Sequence, residues 1–322
     1  MITLFVQIFL LLAAAYGFYP PEKLFLPASF NARPRLGGYE NRPQYWDLDA
    51  DPDRPDPILL KLEIGSSSVK IYYLPPKSSH HKIVCVCYHG HLRAVGALYN
   101  EFWSMLGDVP KFIVNLPGYG TIDEDRSPPW STSEAGTFEK HLEAIPAAIQ
   151  ERIIGQNEID WTQFEPRTVR NNNGRLEAEP LDPNAMNKLP KTFKDHKPVA
   201  FGRSIGTLLA TKHEETWAVC LYTPYLGRKK VTGPKFLRWA IKRVLERLPF
   251  GESSFDFNKI KDHQSLVIVA DGEDLVGELD PEVQEHLNSK KSLYIIKGNH
   301  STLPDEGCGN RVREFIDKLG KE

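Results

Sequence analysis

Ser204 lies in Phe201-Gly202-Arg203-Ser204-Ile205-Gly206-Thr207, a G-x-S-x-G pattern with an apolar run before it and a helix-compatible run after it. A serine on a sharp strand-to-helix turn exposes its hydroxyl, and the flanking glycines leave room where strand and helix nearly touch. Ile205 then opens the helix, so its N–H lacks an intrahelical partner and can hold an oxyanion. This is the chemistry of nucleophilic acyl transfer, but a serine hydroxyl is inert at neutral pH unless a base takes its proton. His300, in Gly298-Asn299-His300-Ser301, is the candidate base, and later the acid that protonates the leaving group. Asp271 and Asp274 share one acid-rich turn with Glu273, and a carboxylate there can orient the imidazole and stabilise its charged form. A third apolar run ends in His89-Gly90-His91, where the backbone N–H of His91 is the candidate second oxyanion donor. His89-x-His91 has the look of a metal pair, but no third ligand stands at a sensible spacing, so neither a metal nor another cofactor is expected.

Those residues need strands that end at a common edge. Residues 199–202, 266–270 and 292–296 read as buried strands leading into the serine, acid and histidine turns, and residues 83–88 as the strand before His89. Residues 58–64 and 69–74 flank Gly65-Ser66-Ser67-Ser68 and read as an antiparallel hairpin. Residues 112–116 and 218–222 are further strands; residues 92–106, 133–154, 228–248 and 311–319 are helical. Strands alternating with helices predict an α/β fold with a mostly parallel, doubly wound sheet. Residues 155–197 are polar and rich in Asn and Pro, an insertion before the nucleophile strand that is either a lid or surface decoration. The helix over 228–248 carries Lys235, Arg238, Lys242, Arg243 and Arg247 opposite an apolar side. It is either a solvated helix packed on the sheet or one that lies on an anionic bilayer, and with the insertion it is expected to flank the pocket mouth.

The chain has 322 residues and a formal net charge of −2, so no bulk field argues for nucleic acid. Residues 2–18 form an apolar run broken only by Gln7 and Gly17, a short membrane anchor or a secretory signal. The protein is accordingly expected in the endomembrane system on a single-pass N-terminal anchor, or secreted if the leader is cleaved. Residues 19–57 read as an extended stalk and residues 58–322 as the catalytic domain. Cys85 and Cys87 alternate on one strand face and suit buried thiols; Cys220 is assigned to a strand and Cys308 to a late loop.

With these motifs in place the chain resembles the serine α/β-hydrolase family, nearest its N-terminally membrane-anchored branch. The carriers are Phe18-Tyr19-Pro20-Pro21, His89-Gly90, Asn115-Leu116-Pro117-Gly118-Tyr119-Gly120, the serine motif, the run from Asp271 to Val276, and Gly298-Asn299-His300. The resemblance implies an α/β-hydrolase fold and a triad in the order Ser204, Asp274, His300, with Asp274 at the acid position. Ala270 stands where relatives often have His, and Gly277 where Pro is common. The resemblance further implies hydrolysis of an ester or thioester, with an acyl-lipid or acyl-protein as the sharper substrate. The competing expectation is a catalytically silent fold used as a binding or membrane-tethered interaction module.

Overall fold

The apolar runs that end in candidate chemistry are neighbouring strands of one sheet. The computed structural model describes residues 55–65, 67–78, 82–90, 105–117, 137–172, 175–214, 216–227, 238–239, 242, 253–260, 263–272, 279–298 and 304–321. Strands β1 (Ile58–Ile64) and β2 (Ser67–Leu74) form a hairpin that turns at Gly65, whose φ of 60° suits a residue without Cβ. Strands β3 (Ile83–Tyr88) and β4 (Lys111–Asn115) follow, then helix α1 (Thr137–Ile149), which runs on into a π-helical turn over Gln150–Ile154. After a 3₁₀ turn at Trp161–Phe164 come β5 (Arg167–Asn172), β6 (Arg175–Pro180) and the short α2 (Pro183–Met186). The remainder alternates: β7 (Lys197–Arg203), α3 (Gly206–Ala210), β8 (Ala218–Tyr222), β9 (Ser265–Ala270), α4 (Pro281–Ser289), β10 (Leu293–Ile296) and α5 (Glu306–Leu319).

The strand order is β10-β9-β8-β7-β3-β4-β2-β1-β5-β6. From β10 to β4 every pairing is parallel, and from β4 to β6 every pairing is antiparallel. Burial follows this division. Every residue of β3, β4 and β8 is buried, as parallel strands covered on both faces must be. One face packs Ile145, Ile149, Leu208 and Leu209 against Val86, Val114 and Ala200. On the other, α5 turns Cys308, Val312, Ile316 and Leu319 toward Cys85, Phe201 and Cys220, a stripe at helical spacing.

Three features differ from the sequence expectations. The insertion over 155–197 contributes two strands to the sheet, and Trp161, Phe164, Leu181, Leu189 and Phe193 to the core. Its hairpin pairs with β1, five strands from β7, or about 24 Å at usual strand spacing. It enters β7 at Lys197, where Lys197 N–H donates to Lys82 O, whereas Ser204 follows the other end of that strand. The segment is therefore a sheet extension in this structure and does not flank Ser204. The last helix starts earlier than residue 311 because the Asp305 carboxylate accepts from Cys308 N–H as its N-cap, so Cys308 is a buried helical thiol and not a loop residue. Helix α4, absent from the sequence reading, has Pro281 in its first turn. The leader and most of the stalk, nearly all of the basic helix, and His91, Asp274 and His300 lie outside the described residues. Among the described residues, no helix is long and apolar enough to cross a membrane.

Candidate functional site

β7 ends where α3 begins, and the chain reverses within Ser204-Ile205. Ser204 takes φ 51°, a left-handed backbone that costs a non-glycine residue roughly 1–3 kcal/mol. Hydrogen bonds on both sides hold it there. Ser204 N–H donates to Tyr222 O at 3.0 Å, and Ser204 O accepts from Thr207 N–H at 3.0 Å, Thr207 Oγ1 at 2.5 Å and Tyr225 N–H at 3.3 Å. The two glycines of the motif are steric requirements. A Cβ on Gly202 would lie 2.7 Å from Gly206 O, and one on Gly206 would overlap Tyr88 O and sit 2.8 Å from His89 O. α3 is thereby pressed against the ends of β3 and β7. Ser204 is 9% exposed, and its Cβ is 3.1 Å from where a Cβ on Gly90 would be.

Ile205 is the N-cap of α3, with φ −61° and ψ −27°. Among the described residues nothing accepts from its N–H, which is the state an oxyanion donor needs. The neighbouring loop is pinned by His89, which is fully buried. Leu116 N–H donates to His89 Nε2 at 3.0 Å, so that nitrogen is the acceptor and Nδ1 carries the hydrogen toward Gly90 O at 2.8 Å. Burial drives the pKa of this imidazole down to about 4, against a smaller upward pull from the Gly90 bond. His89 is thus neutral at pH 7, and both ring nitrogens already have partners, so the His89-x-His91 spacing is not a metal pair as far as His89 is concerned. Among the described residues no cluster of potential metal ligands occurs.

On the acid side, the turns after β9 and β10 begin next to each other. Asp271 N–H donates to Ile296 O at 2.9 Å, Gly272 N–H to Gly298 O at 2.8 Å, and Gly298 N–H to Asp271 Oδ1 at 2.9 Å. The Asp271 carboxylate therefore ties one turn to the other. Asp274 and His300 follow within three residues of Asp271 and Gly298, outside the described residues.

Several site features were not read from sequence. The buried Arg203 guanidinium lies 5.0 Å over the Tyr222 ring, a contact no spacing announces. Behind the elbow, Tyr88 Oη meets His213 Nε2 at 2.8 Å, and the His213 ring stacks on Trp217 with centroids 3.7 Å apart. Burial, and secondarily His263, lowers the His213 pKa to about 3. Thr223, the residue after β8, also has a left-handed backbone. A separate open groove of about 920 Å³ lies behind the start of β4, lined by Ile58, Tyr73, Pro110, Leu189 and Phe193. It is remote from Ser204, and ligands of open α/β sheets bind at the opposite, C-terminal edge.

No family model and no curated protein sequence matches this chain. Solved structures do match. Carboxyl esterase 2 from the mycorrhizal fungus Tuber melanosporum superposes with a TM-score of 0.50 at 12% identity, over 85% of this chain and 87% of that one. The chain has the α/β-hydrolase fold. An acylaminoacyl peptidase from Pyrococcus horikoshii gives a TM-score of 0.46 at 11% identity, over 81% of this chain and 40% of that longer one. A hyperthermophilic esterase from Pyrobaculum calidifontis gives 0.43 at 12% identity, over 84% and 87%. At such identities the likeness carries the fold alone, and what this α/β-hydrolase fold does is argued from its own residues.

Proposed function

We propose that this protein is a serine hydrolase that cleaves a carboxylic ester or thioester through an acyl-enzyme on Ser204. The observation that carries the reading is the backbone of Ser204, held left-handed at φ 51° between two glycines that admit no Cβ, beside an Ile205 N–H without a described acceptor. Strain of this kind persists where the surrounding structure enforces it, and here it puts a hydroxyl at the C-terminal edge of the sheet.

In this reading His300 removes the proton from Ser204 Oγ as Oγ bonds to the acyl carbon. The N–H groups of Ile205 and His91 hold the resulting oxyanion. Collapse breaks the bond to the leaving group, which takes the proton from His300, and water repeats the sequence to release the acid. Asp274 orients the imidazole; the engagement of the Asp271 carboxylate with Gly298 N–H supports that choice between the two acids. The sharper substrate is an acyl-lipid or acyl-protein, reached from a membrane to which residues 2–18 anchor the chain in the endomembrane system.

The deciding experiment is covalent labelling of the purified protein by a fluorophosphonate, with Ser204→Ala alongside. Labelling of the wild type and none of a folded variant is expected, whereas equal labelling of both would place the nucleophile elsewhere. Carbonate extraction of the full chain, expected to leave it with the membrane pellet, tests the anchor separately.

A further inference from the structure

Ser204 stands between two strand ends. On the β3 side its Cβ abuts Gly90, in the loop pinned by His89. On the other side β8 pairs with β7 in the register Arg203↔Tyr222, so the next residues, Ser204 and Thr223, leave the sheet at the same level. Their backbones match, with φ 51° at Ser204 and 43° at Thr223. For a β-branched residue that conformation is an outlier, and Pro224 follows, which further restricts the residue before it. The turn is nonetheless firmly tied. Thr223 N–H donates to Ile268 O at 2.8 Å, and the residues on either side of the Thr223-Pro224 step, Tyr222 and Tyr225, bond to Ser204.

Thr223 is 1% exposed, and its Oγ1 is buried with no hydrogen-bond partner among the described residues. Glycine or asparagine would meet the backbone demand at less cost, and valine would avoid burying an unpaired hydroxyl. Two unfavourable features therefore coincide at one residue, one strand away from the nucleophile. The neighbouring threonine, Thr207, shows the ordinary alternative: its hydroxyl donates to Ser204 O at 2.5 Å.

We infer that the Thr223 hydroxyl is a hydrogen-bond donor to the leaving-group atom of the substrate, and that it biases the site toward oxygen esters over thioesters. This rests on the reading of Ser204 as nucleophile. The carbonyl oxygen of a bound acyl group turns toward the donors on the β3 and α3 side, so the leaving group occupies another corner of the tetrahedral carbon, on the side of β8. Ser204 is itself nine-tenths buried, and an acyl group that comes against its Oγ also comes against the adjacent strand end. An ester oxygen accepts a hydrogen bond well and a sulfur only weakly, so the contact favours the oxygen ester. No proton is transferred from Thr223; it is a contact to substrate, distinct from the base.

The test compares phenyl butyrate with S-phenyl thiobutyrate, which share acyl and aryl groups. Thr223→Val removes the hydroxyl and keeps the shape, whereas Thr223→Gly removes it and also relieves the backbone, so at least one variant folds. Both are expected to lower the ratio of kcat/KM for oxygen ester over thioester by about tenfold, the size of one hydrogen bond. Thr223→Ser, which keeps the hydroxyl, is expected to hold the ratio within about twofold. A fall shared equally by both substrates, or an unchanged ratio with only the melting temperature moved, would make Thr223 structural and overturn the inference. Failure of the wild type to be labelled by a fluorophosphonate is a separate outcome: it removes the nucleophile reading, and the role of Thr223 with it.

Discussion

The two ends of the sheet meet the same backbone demand with different residues. At the antiparallel end the β1–β2 hairpin needs a left-handed turn and places Gly65 there at φ 60°, with open space around it. At the parallel end the turns after β7 and β8 need the same conformation and carry Ser204 and Thr223. Charge divides in the same way. Lys61 meets Glu63 and Glu165 at the solvent face of β1, and Arg170 meets Asp56 beside it, all partly or well exposed. Behind the parallel end the polar side chains of His89, Arg203 and His213 are buried. Backbone strain is not confined to one region, since Glu165 before β5 is also left-handed at φ 46°; what separates the two is that the polar groups of one are solvated and those of the other are dry. The antiparallel half satisfies the requirements of a stable sheet edge, whereas the parallel half tolerates local cost to fix groups in position.

The largest expected effect separates chemistry from stability. Ser204→Ala should reduce turnover on any ester substrate by roughly 10⁶-fold, as loss of a nucleophile does elsewhere. The fold should persist, since alanine meets the same backbone demand as serine. Turnover measured beside a thermal melt checks both halves; unfolding of the variant would show the elbow to be a structural element as well.

Phe193→Ala should do the reverse. Phe193 is fully buried in the insertion, with ring centroids 5.4 Å from Phe112 and 6.1 Å from Tyr73. Its truncation should cost about 3–5 kcal/mol of unfolding free energy. The rate of fluorophosphonate labelling of the folded fraction should be unchanged. Urea unfolding and labelling kinetics measure these separately, and a fall in labelling without loss of stability would restore the insertion to a role at the site.

A third expectation concerns acid. His89 and His213 are held neutral, with pKa values near 4 and 3 against an ordinary 6.5. Between pH 6.5 and about 4 the unfolded chain binds protons at these two sites that the folded chain does not. Their contribution is therefore present above pH 6.5 and is lost as pH falls toward the folded values. Two such sites give a slope of about 2.7 kcal/mol per pH unit at most near pH 5. Urea midpoints from pH 7 to 4.5 measure it, and His213→Gln should remove about half the slope. An unchanged slope in that variant would mean that His213 is charged or reached by solvent in the folded protein.

Much of this division was legible in the sequence, and the missing parts have physical causes. Continuous apolar runs such as residues 83–88 and 218–222 mark parallel strands because both faces must be covered. The serine motif is legible because its glycines are set by local sterics within a few residues. The insertion was not legible. Arg167–Asn172 and Arg175–Pro180 are polar strands at one end of the sheet, and the pairing of the first with β1 depends on a partner about a hundred residues earlier. Thr223 was missed for a related reason: its strain comes from bonds to Ile268 and from its neighbours' bonds to Ser204, and no spacing within 220–226 encodes them. The imidazole of His89 could have been weighed, because a histidine at the end of a fully apolar strand must find partners for both ring nitrogens.

The smallest effect tests the solvated end. Lys61 Nζ lies 2.6 Å from Glu63 Oε1 and 3.0 Å from Glu165 Oε1, and its pKa is raised, first by the hydrogen bond to Glu63. Distances this short invite the view that the cluster pins the insertion to β1. The exposure of the groups argues otherwise: the Lys61 side chain is 29% exposed and that of Glu165 66%, so water and salt screen both contacts and each chain loses rotamer freedom in making them. The insertion is held by its buried aromatics, and the ions decorate the seam. Lys61→Met keeps the aliphatic stem against β1 and removes the charge. Its melting temperature should stay within about 2 °C of the wild type, at low salt and at about 0.5 M salt alike. A large drop that appears only at low salt would show that electrostatics hold the insertion in place, and would erase the contrast between an end stabilised by packing and an end that uses buried polar groups.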